Sequence, residues 1–359
     1  MKMIDTVRVR LLAAAFVLCA GSAQAMPYTS LNVFGDSISD TGNVLALTGN
    51  AFPTFTGGVG RFSNGPNWLD KLATGLGLPI GAVPANIYTG SPIGLQGGQN
   101  YAYGGARTGM NGSAAAYTGL LAQLNNWNGT TGAARFLPPT SLTHAADPNG
   151  LYVVFAGAND LRDIRSSNFG GTAADVSARA AAAALIAKDV VDVVRLLADA
   201  GARHFLLSNL PDLGKTPEAG LLQLFGGALN TPQPGLVAAS TDTTLAFNSA
   251  LAQAEIALDS LYLTTHGIDL DLRQMDLYGL TEMIFNDAVD NAGATFGITN
   301  VTSACIEPVA GNYFIPSATD NDDNCAVSAY SDPLHPSASA HALIGALALR
   351  TAVPEPGSL

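Results

Sequence analysis

Phe34-Gly35-Asp36-Ser37-Ile38-Ser39-Asp40-Thr41-Gly42-Asn43 decides how this chain is read. The apolar run from Leu31 to Phe34 leads straight into it and predicts a strand. Ser37 then falls just past the strand end, where the chain turns into a helix. A serine held at such a turn is a candidate nucleophile, but a free hydroxyl is a poor one and needs a base within hydrogen-bond reach. Three partners must come from elsewhere: the base, a group that orients it, and donors facing the oxygen that gains charge.

Three other stretches offer those partners. Asn100-Tyr101-Ala102-Tyr103-Gly104-Gly105-Ala106-Arg107-Thr108 alternates and ends in a glycine pair. Paired glycines after a strand permit close backbone approach and a bare amide donor, or simply a tight turn. Leu151-Tyr152-Val153-Val154-Phe155 is a continuous apolar run, as a buried parallel strand should be. It ends in Ala156-Gly157-Ala158-Asn159-Asp160, where small residues clear space beside the Asn159 amide; a helix cap is the plainer alternative for Asn159. Ser331-Asp332-Pro333-Leu334-His335-Pro336-Ser337 holds a histidine between two prolines at the mouth of a helix, with Asp332 in reach of its imidazole through a turn. His341, inside that helix, is the main competitor as base. His144 and His266 have no acidic neighbour in sequence, and His204 reads as a rim or packing residue.

Helical spacing covers Asn67 to Leu76, with Trp68 on the core side, and Thr172 to Ala200, with Gly201 as the stop. His204 to Asn209 is a further apolar strand. A helix between two apolar strands is a βαβ unit, so the sheet is expected to be parallel. Leu213 to Ser240 reads as irregular, Thr241 to Thr265 as helix, Gly267 to Leu272 as a short strand, and Ser339 to about Arg350 as the last helix. Tyr278 to Tyr330 shows little regular pattern. That stretch and Ala51 to Gly98 are expected to line the cleft, with Phe52, Phe55, Phe285, Phe296 and Phe314 leaning toward a lipidic acyl chain.

Lys2, Arg8 and Arg10, then the apolar Leu11 to Ala20, then Ala23-Gln24-Ala25, have the layout of a secretory signal peptide over residues 1–25. Cys19 follows Leu18 where a lipoprotein site would want a small residue, so no lipid anchor is expected. Beyond the signal stand Cys305 and Cys325, an even pair that reads as one disulfide in an exported chain. With 28 acidic against 16 basic residues, the chain has no basic stripe for nucleic acid. Gly58-Val59-Gly60 lacks the third glycine of a dinucleotide loop, and Asp320 to Asn324 lacks the glycine and distal glutamate of an EF-hand, so neither a cofactor nor a metal is expected.

The four stretches around Ser37, Gly105, Asn159 and His335 resemble, in order, the sequence blocks of the SGNH hydrolases, also called the GDSL esterase/lipase family. Gly60-Arg61-Phe62-Ser63-Asn64-Gly65-Pro66-Asn67-Trp68 and Asn209-Leu210-Pro211-Asp212-Leu213-Gly214 are similar to stretches of its larger members. The resemblance implies an α/β fold over residues 26–350, a three-layer α/β/α sandwich on a mostly parallel, flavodoxin-like sheet. It implies Ser37 as nucleophile, His335 as base and Asp332 as its orienter. The oxyanion hole would be the Ser37 and Gly105 backbone N–H groups, with Gly104 as the alternative to Gly105, and the Asn159 side chain. The implied activity is hydrolysis of a small-molecule or lipid ester. Acyl transfer at the same residues, and a non-catalytic surface protein on the same scaffold, are the alternatives. The Gly-x-Ser-x-Gly elbow of the common lipase fold is absent around Ser37. Residues 351–359 carry Val353-Pro354-Glu355-Pro356, which resembles the start of a PEP-CTERM sorting signal of Gram-negative bacteria and implies a sorting partner at the cell envelope.

Overall fold

The computed structural model describes residues 28–55, 57–85, 99–221, 235–306, 308–309, 312–316 and 325–353. The expected signal peptide, the Asp320 to Asn324 turn and residues 354–359 of the tail lie outside them.

β1 (Leu31–Gly35) and β2 (Leu151–Phe155) are buried along their whole length, which is why both read as unbroken apolar runs. With β3 (His204–Ser208) and β4 (Asp271–Met275) they form a parallel sheet in the order β1-β2-β3-β4. Leu31 stands opposite Leu151, Leu151 opposite His204, and His204 opposite Asp271. On the free edge of β1 runs the chain from Gln99 to Tyr103. The Val33 N–H donates to Gln99 O at 3.0 Å, and the Tyr101 N–H to Val33 O at 2.8 Å. Counting that segment, the spatial order is second, first, third, fourth, fifth, the doubly wound flavodoxin-like arrangement.

The order reverses at β1, so right-handed crossovers send helices to opposite faces. Toward the Gln99 edge the connection carries α1 (Asn43–Leu47) and α2 (Trp68–Gly75), followed before β2 by α3 (Leu120–Trp127). In the other direction come α4 (Ala158–Ser167), α5 (Ala173–Asp199), α6 (Pro217–Leu221) and α7 (Leu236–His266). After β4 follow α8 (Leu277–Asn291), the short strands β5 (Asn300–Ala304), β6 (Pro308–Val309), β7 (Asn312–Pro316) and β8 (Ser328–Tyr330), and α9 (Ala338–Ala352). α5 and α7 pack together on one face, α2 and α9 on the other. The result is the expected three-layer α/β/α sandwich. Its core joins Trp68, Leu69 and Leu72 to Ile344 and Ala348 on one side, and Val190, Val194 and Leu197 to Phe247 and Leu251 on the other. Among the described residues no helix is long and apolar enough to cross a membrane.

Local sequence fixes several boundaries. Asn67 and Asp70 form a reciprocal capping box that starts α2, and Thr172 and Asp175 do the same for α5. Three expectations are corrected. The first part of the patternless 278–330 stretch is α8, capped by Asp276, whose side chain accepts from the Gly279 N–H. Its buried face is only Leu277, Leu280, Ile284 and Asp287, and Gly279, Asn286 and Asp290 are weak helix formers that thin the pattern. α7 begins at Leu236, not Thr241. Ser240, Thr243 and Thr244 sit inside it by returning their hydroxyls to the carbonyls four residues back. Gly267 is the left-handed cap ending α7, at φ 67°, so β4 starts only at Asp271.

Candidate active site

β1 ends at Gly35, and the next two residues form the turn that presents Ser37. Asp36 Oδ1 accepts from the Ile38 N–H at 3.1 Å, and Asp36 O accepts from the Ser39 and Asp40 N–H groups. Burial pushes the Asp36 carboxyl up to about 6, against the pull of the Ile38 N–H, His335 and Arg162. Asp40 ties this turn to the glycine pair. Its carboxylate accepts from the Gly42, Asn43 and Val44 N–H groups and, at 2.9 Å, from the Gly104 N–H. Asn43 donates to Asn100 O and Ala102 O, and Asn100 donates back to Ser39 O and Thr41 Oγ1. The conspicuous polar residues of the first two stretches are thus the stitches that register one against the other.

Ser37 and His335 are 298 positions apart, and His335 Nε2 lies 2.8 Å from Ser37 Oγ. His335 Nδ1 lies 2.6 Å from Asp332 Oδ2. The other carboxylate oxygen, Asp332 Oδ1, accepts from the backbone N–H groups of Leu334 at 2.8 Å and His335 at 2.7 Å. The carboxylate therefore shapes its own loop while holding the imidazole. All three side chains are buried, and the His335 ring lies 5.1 Å from the Phe62 ring. β5 and β8 carry the chain into this loop. The Cys305 N–H donates to Tyr330 O and the Ile306 N–H to Ser331 O. The Cys305–Cys325 disulfide fastens that pair, packed on Phe55.

The Gly104 N–H is taken by Asp40, which leaves Gly105, at φ 74°, as the glycine of the pair whose amide can serve a ligand. Phe62 explains Gly104, where a Cβ would meet the ring at 2.2 Å. Gly157 caps α4 at φ 117°, and a Cβ there would lie 3.0 Å from the Phe247 ring. The cap being Gly157, Asn159 is the second residue of the helix rather than its cap. Its Nδ2 donates to Ala106 O at 3.0 Å, leaving the second amide hydrogen for another acceptor.

His341 Nδ1 accepts the Trp68 N–H at 3.3 Å, and burial drives its pKa down to about 3, with His335 adding to the effect. It is a neutral brace between α9 and α2, not a base. His204 pairs with Asp271, His144 lies edge-on to Trp127, and His266 lies against Tyr262.

Two hollows meet at Ser37, Asn159, Arg162, Leu334 and His335. One is apolar, of about 810 Å³ counting its open mouth, and is walled by Pro211, Leu277, Ile284, Phe285 and Ile344. The other is wider, of about 1240 Å³ on the same measure, and more polar, with Phe52, Phe62, Gly105, Arg107 and Asp163 on its wall. Of the aromatics expected to line the cleft, Phe285 and Phe52 do so. Phe55 is buried at the disulfide and Phe296 packs on the core, while the Phe314 side chain lies outside those described. Sequence reasoning missed Arg162 and Glu218, which form an ion pair beside Asn159. Arg162 had a signal, since it lies three residues after Asn159 on one helix face. Glu218 had none.

A sequence profile for GDSL-like lipases/acylhydrolases matches residues 31–348. The chain belongs to that family. Acetylajmalan esterase 2 of Rauvolfia serpentina is 30% identical over 262 residues, covering 67% of this chain and 68% of that protein. Esterase EstA of Pseudomonas aeruginosa is 34% identical over 225 residues, which are 58% of this chain and 32% of EstA, so this GDSL chain spans about a third of that relative. GDSL esterase/lipase At2g40250 of Arabidopsis thaliana is 25% identical over 375 residues and matches nearly end to end, at 98% and 97%. Against the extracellular lipase of Streptomyces rimosus the TM-score is 0.37 at 16% identity, so the fold rests on the sheet described above.

Proposed function

We propose that the protein is an exported carboxylic-ester hydrolase working through an acyl-enzyme on Ser37. The observation that carries the reading is the single imidazole of His335, held by Asp332 on one nitrogen and touching the Ser37 hydroxyl with the other. Ser37 Oγ attacks the ester carbonyl as its proton passes to His335 Nε2. The carbonyl oxygen becomes an oxyanion facing the Ser37 and Gly105 N–H groups and the spare hydrogen of Asn159 Nδ2. Each such preset donor is worth about 3–4 kcal/mol of barrier in comparable sites. As the tetrahedral intermediate collapses, the bond to the leaving oxygen breaks and that oxygen takes the proton from His335. Water then adds to the acyl carbon with His335 again as base, and Ser37 is released.

The apolar hollow takes the acyl chain, and the polar hollow takes the alcohol and then water. Acyl transfer differs only in which hydroxyl enters the second hollow. Its width admits an alcohol, and one relative, 29% identical over 210 residues, is named phosphatidylcholine-sterol acyltransferase, from Aeromonas hydrophila. The signal-like N-terminus supports export, as does a disulfide, which persists in oxidising compartments. A panel of nitrophenyl esters from acetyl to palmitoyl, with and without added alcohol, tests the reading on wild type and Ser37→Ala. Turnover that vanishes in Ser37→Ala supports it, and turnover that persists refutes it.

A further inference from the structure

Resting on that reading, we infer that Arg162 is a positioning residue that sets the face of the Asn159 amide, and that Glu218 locks it to the loop carrying His335. Arg162 Nη1 donates to Asn159 Oδ1 at 3.2 Å. A guanidinium has no acceptor atom, so only the amide oxygen can face it. The amide NH₂ is thereby turned the other way, one hydrogen on Ala106 O and one toward the space above Ser37. Without Arg162, a flipped amide would present its oxygen to the developing oxyanion, replacing attraction with repulsion. Among the described residues, Ala106 O is then left to oppose the flip.

Arg162 is itself held by a two-point ion pair. Its Nε donates to Glu218 Oε2 at 2.9 Å and its Nη2 donates to Glu218 Oε1. Arg165 Nη2 donates to Glu218 as well, and its Nη1 donates to Ser240 Oγ at 3.0 Å. Glu218 and Arg165 are fully buried, with side chains 1% and 0% exposed, so this carboxylate cannot be traded for water. The Glu218 N–H donates to Pro333 O at 2.8 Å, between Asp332 and His335. One residue therefore fixes both the helix that carries the oxyanion side chain and the loop that carries the base. The fork geometry matters here, because Arg162 uses three different nitrogens for Asn159 and the two Glu218 oxygens, a spread that the single nitrogen of a lysine does not reproduce.

A double-mutant cycle on nitrophenyl butyrate turnover separates positioning from bulk stability. Arg162→Met leaves Glu218 paired one-to-one with Arg165, and should lower kcat roughly tenfold or more with KM within about twofold. Asn159→Ala should cost about 100- to 1000-fold. Adding Arg162→Met to Asn159→Ala should cost less than about twofold further, because the side chain through which Arg162 acts is gone. Arg162→Lys should recover part of the loss, and it carries the same cycle if the methionine variant does not fold. Wild-type kcat in the folded Arg162 variant, or the same tenfold loss repeated in the Asn159→Ala background, would overturn the inference. If that happens while Ser37→Ala is dead, only the inference falls; an active Ser37→Ala removes the reading beneath it.

Discussion

Replacing Asp332 by asparagine changes almost no volume, and the structure says which way the new amide must face. Asp332 Oδ1 accepts two backbone N–H groups, from Leu334 and His335. An NH₂ cannot face two donors, so the amide oxygen stays there and the NH₂ turns to His335 Nδ1. That nitrogen must then accept, which moves the imidazole proton to Nε2 and points a donor at Ser37 Oγ. The base is lost although every heavy atom keeps its place. In the serine triad where this substitution is best characterised, the wrong tautomer costs about 10,000-fold in kcat, about 5.5 kcal/mol of barrier. The same is expected here, with the melting temperature nearly unchanged because both backbone bonds survive. Steady-state turnover of nitrophenyl butyrate, alongside thermal melting, measures both. A folded Asp332→Asn variant within about tenfold of wild-type kcat would refute the assignment of His335 as base.

Three further outcomes follow from other parts of the molecule. Ile284→Phe intrudes on the apolar hollow and should cut hexanoyl and octanoyl turnover while sparing acetyl; an unchanged chain-length profile would move the acyl chain elsewhere. Removing the disulfide as Cys305→Ser with Cys325→Ser frees a loop of sequence separation 20, worth about 3 kcal/mol of melting stability. Because Cys305 and Ile306 hydrogen-bond the chain just before Asp332, kcat should fall too, and an unchanged kcat would uncouple bridge from site. Glu255 is buried at 9% exposure, and burial raises its carboxyl to about 7, opposed only by Gln274. A raised carboxyl makes the folded state hold its proton, so the stability it lends is complete below the unfolded value and is lost as pH rises through about 7. Glu255→Gln should therefore gain up to about 3 kcal/mol at pH 8 and little at pH 4; chemical denaturation showing equal gains at both would contradict this.

What could be read from the sequence was what each segment settles by itself. The runs at β1 and β2 announced buried parallel strands because both faces are covered. Asp40, Asn43 and Asn100 lay inside the quoted stretches without a role of their own, because the groups they satisfy across the two stretches are neighbours only in space. The Asp332 and His335 pair was visible because a turn of three residues closes it. α8 was obscured because its apolar face is narrow and its polar side holds weak helix formers. The start of α7 was obscured because its hydroxyls mimic loop chemistry while bonding back along the helix. Glu218 was beyond reach, since its partners Arg162 and Arg165 lie 56 and 53 positions away and only the packed fold makes its charge necessary. The same holds for His341, whose demotion from rival base to brace depends on the Trp68 amide 273 positions earlier.

One hydroxyl, on Ser37, is proposed as the activated nucleophile. A serine-directed fluorophosphonate, followed by intact-mass and peptide mass measurement, reports which side chain carries that reactivity. One covalent adduct is expected on the peptide bearing Ser37, absent in Ser37→Ala and strongly slowed in His335→Ala. An adduct on another residue, or labelling that ignores His335, would contradict it.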